Sequence, residues 1–118
     1  MSLKINYIRS AGTYDEERVV LESDSSTQIG IYAVADTHLG TDGKISSRLQ
    51  SIYWFPDRRV REGDLVVLYT KRGSQSVKDN PDGTHSYFFY WGLESPMWVG
   101  PDSRALLIEM ANWQVSPD

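Results

Sequence analysis

Short runs in which apolar and polar residues alternate follow one another along this chain, separated by clusters of Gly, Pro, Asp and Ser. A period of two puts one parity of each run on a buried face, so these runs predict strands. The most strongly patterned stretch is Tyr53 to Thr70. Pro56 has no amide proton to give to a ladder and ends the run Tyr53 to Phe55, while Gly63 before Asp64 opens a turn. From Leu65 to Tyr69 both parities are largely apolar and β-branched or aromatic residues dominate, which predicts a strand buried on both faces.

The same reading places the other elements. Leu3, Ile5 and Tyr7 alternate with Lys4 and Asn6 as a first strand, and Ser10 to Tyr14 is a turn around Gly12. Glu17 to Ser23 is a second strand with Val19 and Leu21 facing the core and Arg18, Val20 and Glu22 on the other side. Asp24 to Gln28 is rich in residues that bond their own backbone and reads as a hairpin connection. Ile29 to Asp36 is a third strand, His38 to Ser47 a loop, and Arg48 to Phe55 a fourth strand. Asp64 to Thr70 is the fifth. Lys71 to Ser86 reads as a long polar connection with a tight turn at Pro81, Asp82 and Gly83, the expected mobile segment. Tyr87 to Trp91, aromatic throughout, is a sixth strand, and Ala105 to Met110 a seventh with Val115 as the limit of any extension. No stretch of ten or more residues carries a helical period. The fold class that follows is all-β: an immunoglobulin-like β-sandwich of about seven to nine strands with negligible helix. A small open barrel is the alternative, since it hides one parity of each strand in the same way.

At 118 residues, with 40% hydrophobic and 24% charged residues, the chain reads as one domain, 1–118, with a core of its own. Its apolar runs fall far short of a membrane span, and Met1 to Ser10 carries no apolar segment of the secretory type. Without cysteine there is no disulfide, thiolate nucleophile or Cys-ligated metal, and a zero count suits the cytoplasm as well as exported domains. A net charge of -4 argues against phosphate binding over the whole surface, so nucleic-acid affinity is expected to be weak at most.

Several residues invite a chemical reading. An apolar strand ending in Asp36-Thr37-His38 is how a two-metal phosphoesterase site can begin, with Gly63-Asp64 as a second ligand motif. Two histidines and no Asn-His pair are too few to complete it, so the alternative of a metal-dependent phosphoesterase-like hydrolase using Asp36 and His38 stands as a rival only. His85 beside Ser86 has no nucleophile elbow and no acid in evidence behind it, so both histidines read as exposed loop residues. Asp79, Asn80 and Asp82 lack the regular ligand spacing of a calcium loop. The rings Tyr87, Phe88, Phe89, Tyr90 and Trp91, with Trp98 and Trp113, suggest a ligand platform, but in a strand half of the run must enter the core. No metal or cofactor is expected. The remaining surface feature is cationic: Arg58, Arg59 and Arg61 on the turn before the central strand, with Lys71 and Arg72 beyond its far end. Guanidinium groups on an exposed turn can grip an acidic partner bidentately, or simply keep a sheet edge soluble.

Three segments together resemble the lamin tail domain, an immunoglobulin-like sandwich. Glu17 to Leu21 is similar to its opening strand, in which a Glu leads alternating apolar positions. Phe55-Pro56-Asp57, Val60, Gly63-Asp64, Val66 and Leu68 are similar to its central turn and strand. Trp91-Gly92, Pro96, Trp98, Gly100, Ala105 and Leu107 are similar to its aromatic-glycine segment and last core strand. The resemblance implies the same fold and a non-catalytic protein-interaction or scaffolding role, with no catalytic residue to carry over. The expected partner is another protein with an acidic surface, and a structural subunit of an assembly is a further alternative.

Overall fold

A computed structural model describes residues 1–118. The protein is an all-β sandwich of ten strands, two of them only two residues long, with one short 3-10 turn. The strands are β1 (Leu3–Arg9), β2 (Arg18–Ser23), β3 (Thr27–Gln28), β4 (Tyr32–His38), β5 (Ile52–Trp54), β6 (Arg59–Val60), β7 (Leu65–Tyr69), β8 (Ser76–Asp79), β9 (His85–Tyr90) and β10 (Ser103–Glu109). One sheet has the order β1-β2-β7-β9-β8 and the other β10-β4-β5, with β3 and β6 paired separately. β7 and β9 run parallel; every other pairing is antiparallel.

The core lies where inward parities of both sheets meet. Val19 and Leu21 of β2, Val66 and Leu68 of β7, and Tyr87 and Phe89 of β9 face Tyr32 and Val34 of β4, with Phe55 and Trp98 filling between. The expected burial of β7 on both faces holds at its centre, where outward-facing Val67 is buried between Val20 and Phe88, while Leu65 and Tyr69 on the same parity are half-buried. The rings of β9 divide as alternation requires: Tyr87 and Phe89 pack inward and Phe88 and Tyr90 outward.

The chain crosses between the sheets three times, through β3, through β6 and in the β9–β10 connection, and the first two crossings pair with one another. Gln28 holds this corner, its side-chain oxygen accepting from Gly30 N at 3.1 Å and from Arg58 N. Gly30 lies so close to Asp57 that a Cβ there would meet the carboxylate oxygen at 2.0 Å. Five expectations change. Asp24 to Gln28 closes no hairpin, because it carries the chain from β2 through β3 to β4 of the other sheet. Ile29–Ile31 is a 3-10 turn and not the start of the third strand, because the corner needs a bend there. The fourth strand contracts from Arg48–Phe55 to Ile52–Trp54, since β5 pairs only with Ala33 to Ala35 of β4. The Lys71–Ser86 connection contains β8 and the first residues of β9, closed by a hairpin at Pro81-Asp82-Gly83 with Asn80 N donating to Thr84 O at 2.9 Å. Finally, β10 ends at Glu109, and residues 111–118 form no strand.

A buried carboxylate clasps three distant segments. Glu17, with no exposed surface, accepts from Gly12 N (2.7 Å), Met97 N (2.7 Å) and Trp98 N (3.1 Å), and from the Thr70 hydroxyl. It thereby ties the β1–β2 turn, the end of β7 and the β9–β10 connection together. No cation neutralises it; amide and hydroxyl dipoles satisfy its lone pairs instead.

Candidate binding surface

The outer face of the five-stranded sheet is built from the outward parities of β1, β2, β7 and β9, and the register sorts them into rows. At one level Tyr7, Val20, Val67 and Phe88 lie side by side, an apolar stripe. At the next level Arg9 faces Arg18, Arg18 faces Tyr69, and Tyr69 adjoins Tyr90. The Tyr69 and Tyr90 rings stack at 5.3 Å with planes 11° apart. The Arg18 guanidinium carbon lies 5.3 Å from the Tyr69 ring centre and the Lys71 ammonium nitrogen 5.1 Å from it. Such contacts fix long cations over an aromatic face while leaving their polar ends toward water. Gly73 completes the arrangement, since a Cβ there would meet the Tyr90 ring at 2.4 Å.

Two arginines directly opposite one another in a sheet repel. Here the repulsion is only partly relieved: Arg18 has Glu16 at 3.6 Å, and no ion pair reaches Arg9 or Lys71. Arg72, farther along the same connection, is paired with Glu94 at 2.7 Å. The row is therefore a cationic and aromatic strip on a chain of net charge -4.

The basic residues expected to act together are separated. Lys71 and Arg72 lie beyond the end of β7 next to this strip, whereas Arg58, Arg59 and Arg61 precede its start, roughly 17 Å away along a five-residue strand. Arg58 is stacked on Tyr87, its guanidinium carbon 4.9 Å from the ring centre, and lines a shallow cleft with Pro56, Gln75 and Val77. Arg59 is exposed in β6, and exposed Arg61 gives its backbone N–H to Asp64 at 2.8 Å. Sequence reasoning placed Arg18 on the outward parity but did not join it to Arg9 or Tyr69, because cross-strand register has no signature within a single strand.

Asp36 is buried on the inward parity of β4, where burial raises its carboxyl pKa and the nearby His38 lowers it; His38 itself is exposed. No group of three or more His, Asp or Glu is arranged so as to hold a metal ion. His85 is not a loop residue: it opens β9, with Asp79 Oδ1 at 3.2 Å from Nε2 and Asp64 Oδ1 at 3.8 Å from Nδ1. Acids therefore flank the imidazole, contrary to expectation, while the Ser86 hydroxyl turns to Asn80. Asn80 and Asp82 are occupied within the hairpin, where Asp82 accepts from Thr84 Oγ1 at 2.6 Å and Thr84 N at 3.0 Å, bonds that lower its pKa. Burial raises the pKa of Tyr53. No helix is long and apolar enough to cross a membrane. The chain matches no protein-family model, and no match appears among characterised proteins or solved structures.

Proposed function

We propose that this protein is a non-catalytic, lamin-tail-like interaction module that binds an acidic segment of a partner protein on the outer face of its five-stranded sheet. The observation that carries this reading is the row Arg9, Arg18, Tyr69 and Tyr90 with Lys71 beside it. Carboxylates on a partner would relieve the repulsion between Arg9 and Arg18, and the neighbouring stripe of Tyr7 and Phe88 offers apolar contact to the same segment. The lamin-tail likeness rests on the sequence segments from Glu17 to Leu21, Phe55 to Leu68 and Trp91 to Leu107. Arg58, stacked on Tyr87, is a second, separate cation for a longer partner. Affinity for bare nucleic acid is weak and falls steeply with salt, because the chain as a whole is acidic.

The test is fluorescence anisotropy with a labelled oligoglutamate peptide at low and physiological salt. Wild type binds and loses affinity as salt rises; the variant carrying Arg9→Ser, Arg18→Ser and Lys71→Ser loses binding while its unfolding free energy stays within about 1 kcal/mol of wild type, the range for surface changes that remove a cation–π contact. Equal binding by the two proteins refutes the assignment of the face.

A further inference from the structure

Asp36 is 5% exposed, and its Oδ1 is enclosed by protein without a single hydrogen-bond donor. A buried carboxylate oxygen left without a donor is costly, and native structures rarely keep one without a use. This residue lines a cavity of about 280 Å³, closed on one side by Gln50 and Ser51 ahead of β5 and on the other by the segment Leu93 to Met97 of the β9–β10 connection. The cavity's chemistry is that of a cation receptor. Asp36 and Glu94 each bring a carboxylate to its lining, and Gln50 and Ser51 supply neutral acceptors, while Leu93 and Met97 provide apolar wall.

We infer that this cavity is a recognition pocket for the cationic head of a lysine or arginine side chain from a partner, with Asp36 as its counter-charge. The alkyl stem of such a side chain packs on Leu93 and Met97 and its donors meet the Asp36 carboxylate. A metal ion suits the site less well, since only two carboxylates line it and no third acidic or histidine ligand joins them. Neither nearby cation forms an ion pair with Asp36: Arg72 is engaged with Glu94, and His38, two residues on along β4, is exposed to solvent. Desolvation raises the Asp36 pKa, which an incoming cation would reverse. This site is independent of the cationic strip on the five-stranded sheet, and either assignment can fail without the other.

The experiment is an amide chemical-shift titration of the isotopically labelled chain with ethylguanidinium, with its neutral counterpart ethylurea, with a blocked Gly-Arg-Gly peptide and with calcium, at matched ionic strength. The expected result is saturable movement of the Asp36, Ser51, Leu93 and Met97 amides with both guanidinium probes and none with ethylurea. Asp36→Asn weakens the response at least tenfold. Ser95→Trp does the same by filling the mouth from an exposed position while leaving Asp36 in place, which keeps the inference testable if the Asn variant fails to fold. The inference is overturned if ethylurea acts as well as ethylguanidinium, if Asp36→Asn or Ser95→Trp responds like wild type, if calcium alone moves these amides, or if no guanidinium probe moves them.

Discussion

Replacing Glu17 by Ala should be among the most damaging single changes to this fold, although the residue itself lines neither proposed binding site. The side chain is fully buried and accepts from three backbone N–H groups, those of Gly12, Met97 and Trp98, and from the Thr70 hydroxyl. Hydrogen bonds to a charged group contribute roughly 1.5–3 kcal/mol each, but their losses are not additive, because a truncated site relaxes and admits water. Leaving the Met97 and Trp98 amides unsatisfied costs about 1–3 kcal/mol apiece, so a total near 3–5 kcal/mol is expected for Glu17→Ala. Set against the roughly 5–15 kcal/mol of a typical domain, that is a large share. Glu17→Gln keeps the shape but points an amide N–H₂ at donors, and should cost about 2–3 kcal/mol. Urea unfolding followed by tryptophan fluorescence reads both, with Trp98 as a buried reporter in the clasped segment; at slopes of about 1–3 kcal/mol per molar, the Ala variant should lose 1 M or more in midpoint. A loss below about 1 kcal/mol for Ala, or no loss for Gln, would show that the clasp does not hold the three segments together.

Further expectations follow from single side chains. Leu68→Ala should cost about 2–4 kcal/mol in the same assay, the scale for truncating a buried aliphatic side chain, and an unchanged midpoint would contradict the burial of β7. Gly73→Val should unstack Tyr90 from Tyr69, read as a change in near-ultraviolet circular dichroism with the far-ultraviolet sheet signal retained; an unaltered near-ultraviolet spectrum would count against the close approach at Gly73. Asp36 should impose a pH dependence. Burial raises its pKa above 3.8, so the folded chain holds this proton more tightly than the unfolded one, and the resulting stabilisation is full below that value and lost as pH rises through the raised pKa. Asp36→Asn should therefore gain on wild type at neutral pH and lose that advantage in acid, and a pH-independent difference between the two proteins would contradict the burial argument.

What the sequence revealed followed from the physics of single strands. Alternation identified Val19 and Leu21 as core and Arg18 as outward, because a side chain's face depends on its own strand alone. The pairing of β7 with β9, the insertion of β9 between β7 and β8, and the 3-10 bend at Ile29 depend on contacts between segments distant in sequence, which local patterns do not encode. β8 was hidden for a further reason: Ser76 to Asp79 is an exposed edge strand with a polar sequence, so it lacks the apolar parity that marks a strand. The candidate site was partly legible. Charge proximity along the chain grouped Arg58, Arg59 and Arg61 with Lys71 and Arg72, whereas the folded chain places Lys71 beside Arg18 and Tyr69 and leaves the first three at the far end of β7. The buried clasp of Glu17 was visible only as a Glu at the head of a strand.

The assignment of function rests on one face of one sheet, and the most direct measurement is to map by amide chemical shifts where an acidic peptide binds. Titrating oligoglutamate into the labelled chain should move the amides of Arg9, Arg18, Tyr69, Lys71 and Tyr90 and spare the opposite sheet, β10-β4-β5, with the shifts collapsing as salt is raised. Shifts centred on Ile52, Trp54 and β10, or no saturable shift on β1, β2, β7 and β9, would contradict it.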